Sequence, residues 1–353
     1  MSRTLLCMLL VHLALACGDD TSDGAGGNGG AGAGDTGGAG AGPLGGFGGG
    51  PAGGQGGVGG GQGGVGEGPI FDCALAPSMP VSTQTIPGAR GYHGLAVDQV
   101  GLISGLDSSY NLVQSTHDGT WSPFLSNLQA EQIAFAADGN LFMAASNGIL
   151  AVTPSAQVLT VSTLSDSPYG LRIGPDEMIY TTSIAEVLRV DPASGADEPV
   201  ATLPKSVGFA YVHSFDWSPS FDRIYVGTIG SGLFVADLDP SYNALAPLEQ
   251  LTPFSDSWID GVAVDACGNI YAANYSTSQL FKITPDGVPT VYVDWSSTFE
   301  QYGHGVIFGN GVGGFREDAL YLPQPYNDHT VLEVVVGVPS RSFGGTVVNG
   351  PSE

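Results

Sequence analysis

Six residues able to bind a metal ion or move a proton recur at near-regular intervals: His93, Glu131, Tyr169, His213, Asp260 and His304. Their successive separations are 38, 38, 44, 47 and 44 residues. Five of the six are imidazoles or carboxylates, in a chain with only six histidines. That mixture suits zinc, iron, manganese or nickel better than calcium, which prefers oxygen donors. We therefore expect a divalent metal ion, a transition metal in preference to calcium, held by His93, His213, Asp260 and His304. Asp260 and Glu131 are the expected proton-shuttling carboxylates. The competing reading is a solvated polar funnel in which the histidines hydrogen-bond to neighbouring carboxylates. Aromatic side chains stand close by, namely Tyr92, Tyr169, Tyr211, Trp258 and Tyr302. They are candidates for a rim that packs against a cyclic ligand, or for gap-fillers between strands. Arg172, one of nine basic residues, is a candidate anion partner if it faces the channel, with pairing to an acidic side chain as the alternative.

These residues can converge only if repeated elements carry them to one place. Each of the six opens a short run rich in β-branched and aromatic residues, from His93-Gly94-Leu95-Ala96-Val97 to His304-Gly305-Val306-Ile307-Phe308. The unit beginning at Asp260 is the clearest. Strands are expected over 261–265, 270–274, 279–283 and 289–293, separated by turn residues such as Gly268-Asn269 and Pro285-Asp286-Gly287. Six four-stranded units of this length describe an all-β, six-bladed β-propeller. The aligned position then lies nearest the axis at one mouth of the central channel. The last unit supplies strands near 319–322 and 331–336 but lacks an edge strand. Residues 81–86 are expected to fill that gap and close the ring.

The propeller is assigned to residues 69–353. Residues 17–68 are mostly glycine, too poor in apolar side chains to offset the entropy of ordering, and are read as a disordered tether. Residues 1–16 read as a signal peptide, with Arg3 ahead of a short apolar stretch. Leu13-Ala14-Leu15-Ala16 before Cys17 resembles a lipoprotein signal, with Cys17 as the lipidated residue and ordinary secretion without a lipid as the alternative. The expectation is an exported monomer of the cell envelope, meeting the membrane only through that lipid. Cys73 and Cys267 remain as an even pair in an oxidising compartment and are expected to form a disulfide, with two buried thiols as the alternative. With 34 acidic against 9 basic residues, a formal charge of −25 repels phosphate backbones. Nucleic acid is not expected as a partner; a small-molecule ligand or an envelope protein is.

The units resemble the gluconolactonase/regucalcin family of six-bladed propellers, with propellers of the NHL-repeat kind as the near alternative. The resemblance rests on Asp260-Gly261-Val262-Ala263-Val264-Asp265, on Gly268 to Asn274, and on His213-Ser214-Phe215-Asp216-Trp217-Ser218. It implies an axial divalent cation held by Glu, Asn and Asp, and the opening of sugar lactones. Asp260 matches the axial aspartate, while Asp216 and Trp217 match residues of a structural kind. His93 stands at the Glu position and His213 at the Asn position, which points away from a calcium-like site toward a softer metal. Two functions follow as expectations: a metal-dependent hydrolase of a lactone or cyclic ester, and a non-catalytic binding propeller displayed on its tether. Other motifs carry less. Gly309 to Gly314 satisfies G-x-G-x-x-G with no helix to follow and reads as a loop insertion. Asn274-Tyr275-Ser276 is a glycosylation sequon by pattern.

Overall fold

The computed structural model describes residues 70–208, 210–297, 303–325, 329–342 and 346–348. The expected signal, Cys17, the glycine-rich tether and Tyr302 lie outside the described residues. The described chain enters through β1 (Ile70–Asp72) and β2 (Ser82–Ile86). Five antiparallel meanders follow in sequence. Blade one is β3 (Leu95–Val97), β4 (Ile103–Leu106), β5 (Leu112–Ser115) and β6 (Trp121–Leu125). Blade two is β7 (Ala130–Phe135), β8 (Leu141–Ala145), β9 (Gly148–Val152) and β10 (Val158–Thr163). Blade three is β11 (Leu171–Ile173), β12 (Ile179–Thr182), β13 (Glu186–Val190) and β14 (Asp197–Thr202). Blade four is β15 (Tyr211–Trp217), β16 (Arg223–Ile229), β17 (Gly232–Asp237) and β18 (Glu249–Pro253). Blade five is β19 (Ile259–Val264), β20 (Ile270–Asn274), β21 (Gln279–Ile283) and β22 (Pro289–Asp294), close to the strands expected there.

Blade six is composite. β23 (Ile307–Phe308), β24 (Ala319–Gln324) and β25 (Thr330–Val335) take β2 as their outer strand. β2 runs antiparallel to β25, with Ser82 opposite Val335 and Ile86 opposite Val331. The borrowed strand leaves no open end in the ring, as expected. A parallel pair, β1 with β26 (Thr346–Val348), was not anticipated from sequence. Cys73 and Cys267 are joined in a disulfide that ties the entry segment to blade five.

Two local rules recur among the blades. In blades one and five the turn after the inner strand is closed by an aspartate that accepts backbone N–H groups two and four residues on. Asp98 takes Val100 and Leu102 at 3.0 and 2.8 Å, and Asp265 takes Cys267 and Asn269, both at 2.9 Å. Apolar side chains then alternate across the middle strands, and both faces are buried. Leu141 and Met143 pack toward blade one, whereas Phe142 and Ala144 pack toward blade three. Six apolar clusters result, one between each neighbouring pair of blades, including the pair that joins blade six to blade one. Asn274 is 2 % exposed and hydrogen-bonds to backbone on both sides, so the sequon is structural. Among the described residues no helix is long and apolar enough to cross a membrane.

Candidate active site at the axial mouth

The six aligned residues enter the channel from two kinds of backbone. His93, Tyr169 and His304 precede β3, β11 and β23 by two or three residues, where the inner strand is not yet paired. Glu131, His213 and Asp260 lie inside β7, β15 and β19, each at a register shift in the pairing with the next strand. A bulge turns a side chain out of strict alternation, so the ring position faces the axis in these blades too. The residue after the ring position is glycine in four blades because adjacent inner strands nearly touch. A Cβ on Gly94 would lie 2.6 Å from the Glu131 carbonyl oxygen, and one on Gly170 would lie 2.7 Å from that of His213. The ring backbones are also bonded across blades: Gln132 N–H donates to Tyr169 O (3.2 Å) and Gly305 N–H to His93 O (3.3 Å).

The side chains gather as two histidine–carboxylate groups. His93 Nδ1 is paired with Glu131 Oε2. Asp260, 1 % exposed, has His213 Nδ1 at 2.9 Å from one oxygen and His304 Nδ1 at 2.8 Å from the other. Trp258 Nε1–H donates to Asp260 Oδ1 at 3.1 Å. Burial opposes ionisation of Asp260, but His304 and His213 outweigh it and hold the carboxyl well below the usual carboxylate range. Glu131 behaves alike: burial raises it, and His93 draws it below its ordinary value. The two ordered imidazoles respond in opposite directions. Burial would lower His93, yet Glu131 and then Asp260 raise it, whereas for His304 burial prevails over Asp260 and the pKa falls. Tyr169 is pushed well above 10 by burial and by the charges of Asp260 and Glu131, so its hydroxyl keeps its proton. That hydroxyl is buried and not aligned for a hydrogen bond within the described residues.

Aromatic rings wall the site. Tyr92 lies against His93 (ring centroids 4.1 Å apart) and near His304 (6.4 Å), and Tyr169 stacks on His213 at 3.4 Å. Trp258 meets Tyr275 at 5.0 Å, and Tyr275 meets His304 at 4.7 Å. Tyr275 was not singled out from sequence; its place in the turn directly after β20, on a blade whose ring residue is Asp260, is the signal that marks it. Arg172 faces the channel but sits three residues beyond the ring, where its guanidinium donates to Leu171, Val262 and Val306 carbonyl oxygens. It is therefore apart from the histidine–carboxylate groups.

The expected metal ligands thus meet at one mouth, but as pairs facing one another. Nδ1 of each ring histidine is directed at a carboxylate, and among the described residues no three His, Cys, Asp or Glu converge as a ligand set. As they stand, these contacts take up the Nδ1 side of each ring histidine, so the residues would have to rearrange to hold a divalent ion.

The solved structures that resemble this one share its architecture. A gluconolactonase from Xanthomonas campestris superposes with a TM-score of 0.60 at 15 % identity, covering 78 % of this chain and 95 % of that one. A regucalcin from Agrobacterium tumefaciens, described as calcium-binding, gives 0.58 at 13 % identity over 79 % and 98 %. The fold is that of the gluconolactonase/regucalcin-like six-bladed propellers. An auxiliary nutrient-binding protein from Bacteroides ovatus gives 0.56 at 12 % identity over 71 % and 76 %. No protein-family model and no curated protein matches the sequence.

Proposed function

We propose that the axial mouth is the active site of a hydrolase for a small lactone or cyclic ester, on a propeller exported and held at the cell envelope by a lipid on Cys17. The observation that carries the reading is the pair of enclosed histidine–carboxylate groups at aligned positions of five blades. An imidazole whose Nδ1–H is turned to a carboxylate presents Nε2 as its acceptor when neutral. His304, kept neutral at neutral pH by burial, accepts a proton from water as the water oxygen bonds to the ester carbonyl carbon. Asp260 stays ionised and stabilises the imidazolium that forms. The Tyr169 hydroxyl supplies a proton-bearing donor for the carbonyl oxygen. As the ring C–O bond breaks, His93, whose pKa Glu131 raises, gives a proton to the departing alkoxide and regains one from solvent as His304 releases its own. The net change is lactone plus water to hydroxy acid.

A divalent ion enters the proposal through the named calcium-binding neighbour and the residue types His93, His213, Asp260 and His304. Ligation would require their carboxylate contacts to rearrange, so no step is assigned to it. The test is turnover of a panel of sugar and aliphatic lactones by the full chain, with metal content measured by mass spectrometry on the same sample. Hydrolysis lost in Asp260→Asn supports the reading, and a full panel with no turnover rejects it. Export is supported by the Cys73–Cys267 disulfide, which suits an oxidising compartment. Cys17→Ala is expected to move the protein from the membrane to the soluble fraction.

The aromatic wall of Tyr92, Tyr169, Trp258 and Tyr275 favours a second reading, in which the same mouth holds a cyclic ligand without turning it over. Saturable binding of a lactone or sugar with no product would select it.

A further inference from the structure

The channel has a second ring. Three residues beyond each member of the first, the inner strands carry Ala96, Ala134, Arg172, Asp216, Ala263 and Ile307, and all six line one cavity of about 420 Å³. Four of these side chains are small or apolar, so the ring is open at its centre and its walls are greasy. The other two are charged and sit on neighbouring blades. The segment after β25 folds over this end: Ser340 pairs with Asp265, Arg341 N–H donates to Val264 O at 3.1 Å, and both Ser340 and Arg341 line the cavity.

The charges here do not balance locally. Asp216 is held from three sides: one oxygen accepts Arg341 Nε (2.7 Å) and Trp217 N–H (3.0 Å), and the other accepts Val264 N–H (2.9 Å). Arg341 is further fixed over the faces of Trp217 and Phe221, at 5.3 and 5.0 Å. Arg172 makes no close ion pair among the described residues, although the charge of Asp216 still favours its protonated form. Among the described residues its hydrogen bonds all go to carbonyl oxygens: Leu171 at 3.2 Å, Val262 at 3.1 Å and Val306 at 2.9 Å. Two guanidinium groups against one carboxylate leave one positive charge inside the mouth; Glu317 lies out on its exposed rim. A half-buried cation without a close ion pair carries a desolvation cost, and a bound anion relieves that cost. The feature stands out in a chain carrying 34 acidic and only 9 basic residues.

We propose that this second cavity binds a small monocarboxylate, with Arg172 as the principal cation, Arg341 beside it, and the ligand's apolar body against Ala96, Ala134, Ala263 and Ile307. One uncompensated guanidinium matches one negative charge, and its planar fork matches a carboxylate. Apolar walls disfavour a dianion such as phosphate, which would bring a second charge without a second free cation. The site is separate from the histidine–carboxylate mouth and does not depend on its chemistry.

Benzoate is the probe, titrated calorimetrically into the full chain, with benzyl alcohol and inorganic phosphate alongside. Saturable benzoate binding is expected, with benzyl alcohol and phosphate at least about tenfold weaker. Arg172→Met removes the charge but keeps an apolar stem, and weakens benzoate by about tenfold or more. Ala134→Leu fills the cavity without touching any charge and has the same effect, so it decides the matter if Arg172→Met fails to fold. Asp260→Asn, in the other ring, leaves benzoate binding unchanged. Absence of benzoate binding overturns the proposal, as does binding unaltered in both cavity variants. Equal binding of benzyl alcohol or tighter binding of phosphate overturns the ligand class. Loss of binding in Asp260→Asn would move the carboxylate to the first ring.

Discussion

Removing the Asp260 carboxylate should destabilise the propeller in a way that reports directly on the axial charge arrangement. The group is 1 % exposed and accepts from Trp258 Nε1 at 3.1 Å, with His213 Nδ1 at 2.9 Å and His304 Nδ1 at 2.8 Å. Asp260→Ala leaves those nitrogens facing a small void. Each orphaned donor costs about 1–3 kcal/mol, and the recovered desolvation of the carboxylate offsets part of that. Breaking one side of a buried ionic group typically costs about 3–5 kcal/mol, which is the loss expected in urea denaturation at pH 7. Asp260→Asn keeps the shape and one acceptor oxygen, so its cost should be about 1–2 kcal/mol. The pH dependence has a definite sign. Because the folded pKa of Asp260 lies below its ordinary value of 3.8, its stabilisation is present above that value and is lost as pH falls through the folded pKa. The gap between wild type and Asp260→Ala should therefore be widest near neutrality and shrink in strong acid. Equal stability of wild type and Asp260→Ala at pH 7 would refute the arrangement.

Three further outcomes follow from other parts of the molecule. His93 should titrate above 6.5 by histidine NMR and fall in Glu131→Gln; its contribution to stability is full below 6.5 and fades as pH rises through the raised folded value. Replacing Cys73 and Cys267 by Ser opens a link between residues 194 apart in sequence and should cost about 2–5 kcal/mol in chemical denaturation. Glu333, 2 % exposed, accepts from Gln84 (2.7 Å), Tyr321 (2.5 Å) and His117 (2.9 Å), bringing the borrowed β2 and blade one onto blade six. Glu333→Ala should lower stability by about 3–5 kcal/mol in the same assay, and Glu333→Gln by much less.

The propeller was readable because its period is written in residue types: β-branched runs opened by an aligned ring residue recur six times, and in four units that residue is followed by glycine. The borrowed strand at 82–86 was readable because the last unit was one strand short. Cys73 and Cys267 were readable as an even pair. What could not be read were features set by three-dimensional approach. The bulges at Glu131, His213 and Asp260 carry no composition of their own, yet they decide which way those side chains face. Alignment placed the ring histidines beside carboxylates but could not tell ligation from pairing, since that depends on where each Nδ1 points. Trp258 was read as a stacking surface, while its indole N–H also anchors Asp260. The pairing of β1 with β26 was missed because three-residue strands are too short to leave a pattern. The second ring was only partly legible: Arg172 was singled out, but that it and Asp216 line one cavity follows only from neighbouring inner strands running side by side.

Hydrolysis of a lactone panel by the full chain and by Asp260→Asn tests the central claim most directly. The account predicts ring opening by the wild type and a loss of about 10²–10⁴-fold in Asp260→Asn, with the variant still folded. A wild type that binds lactones without opening any of them, or turnover undiminished in a folded Asp260→Asn, would contradict it.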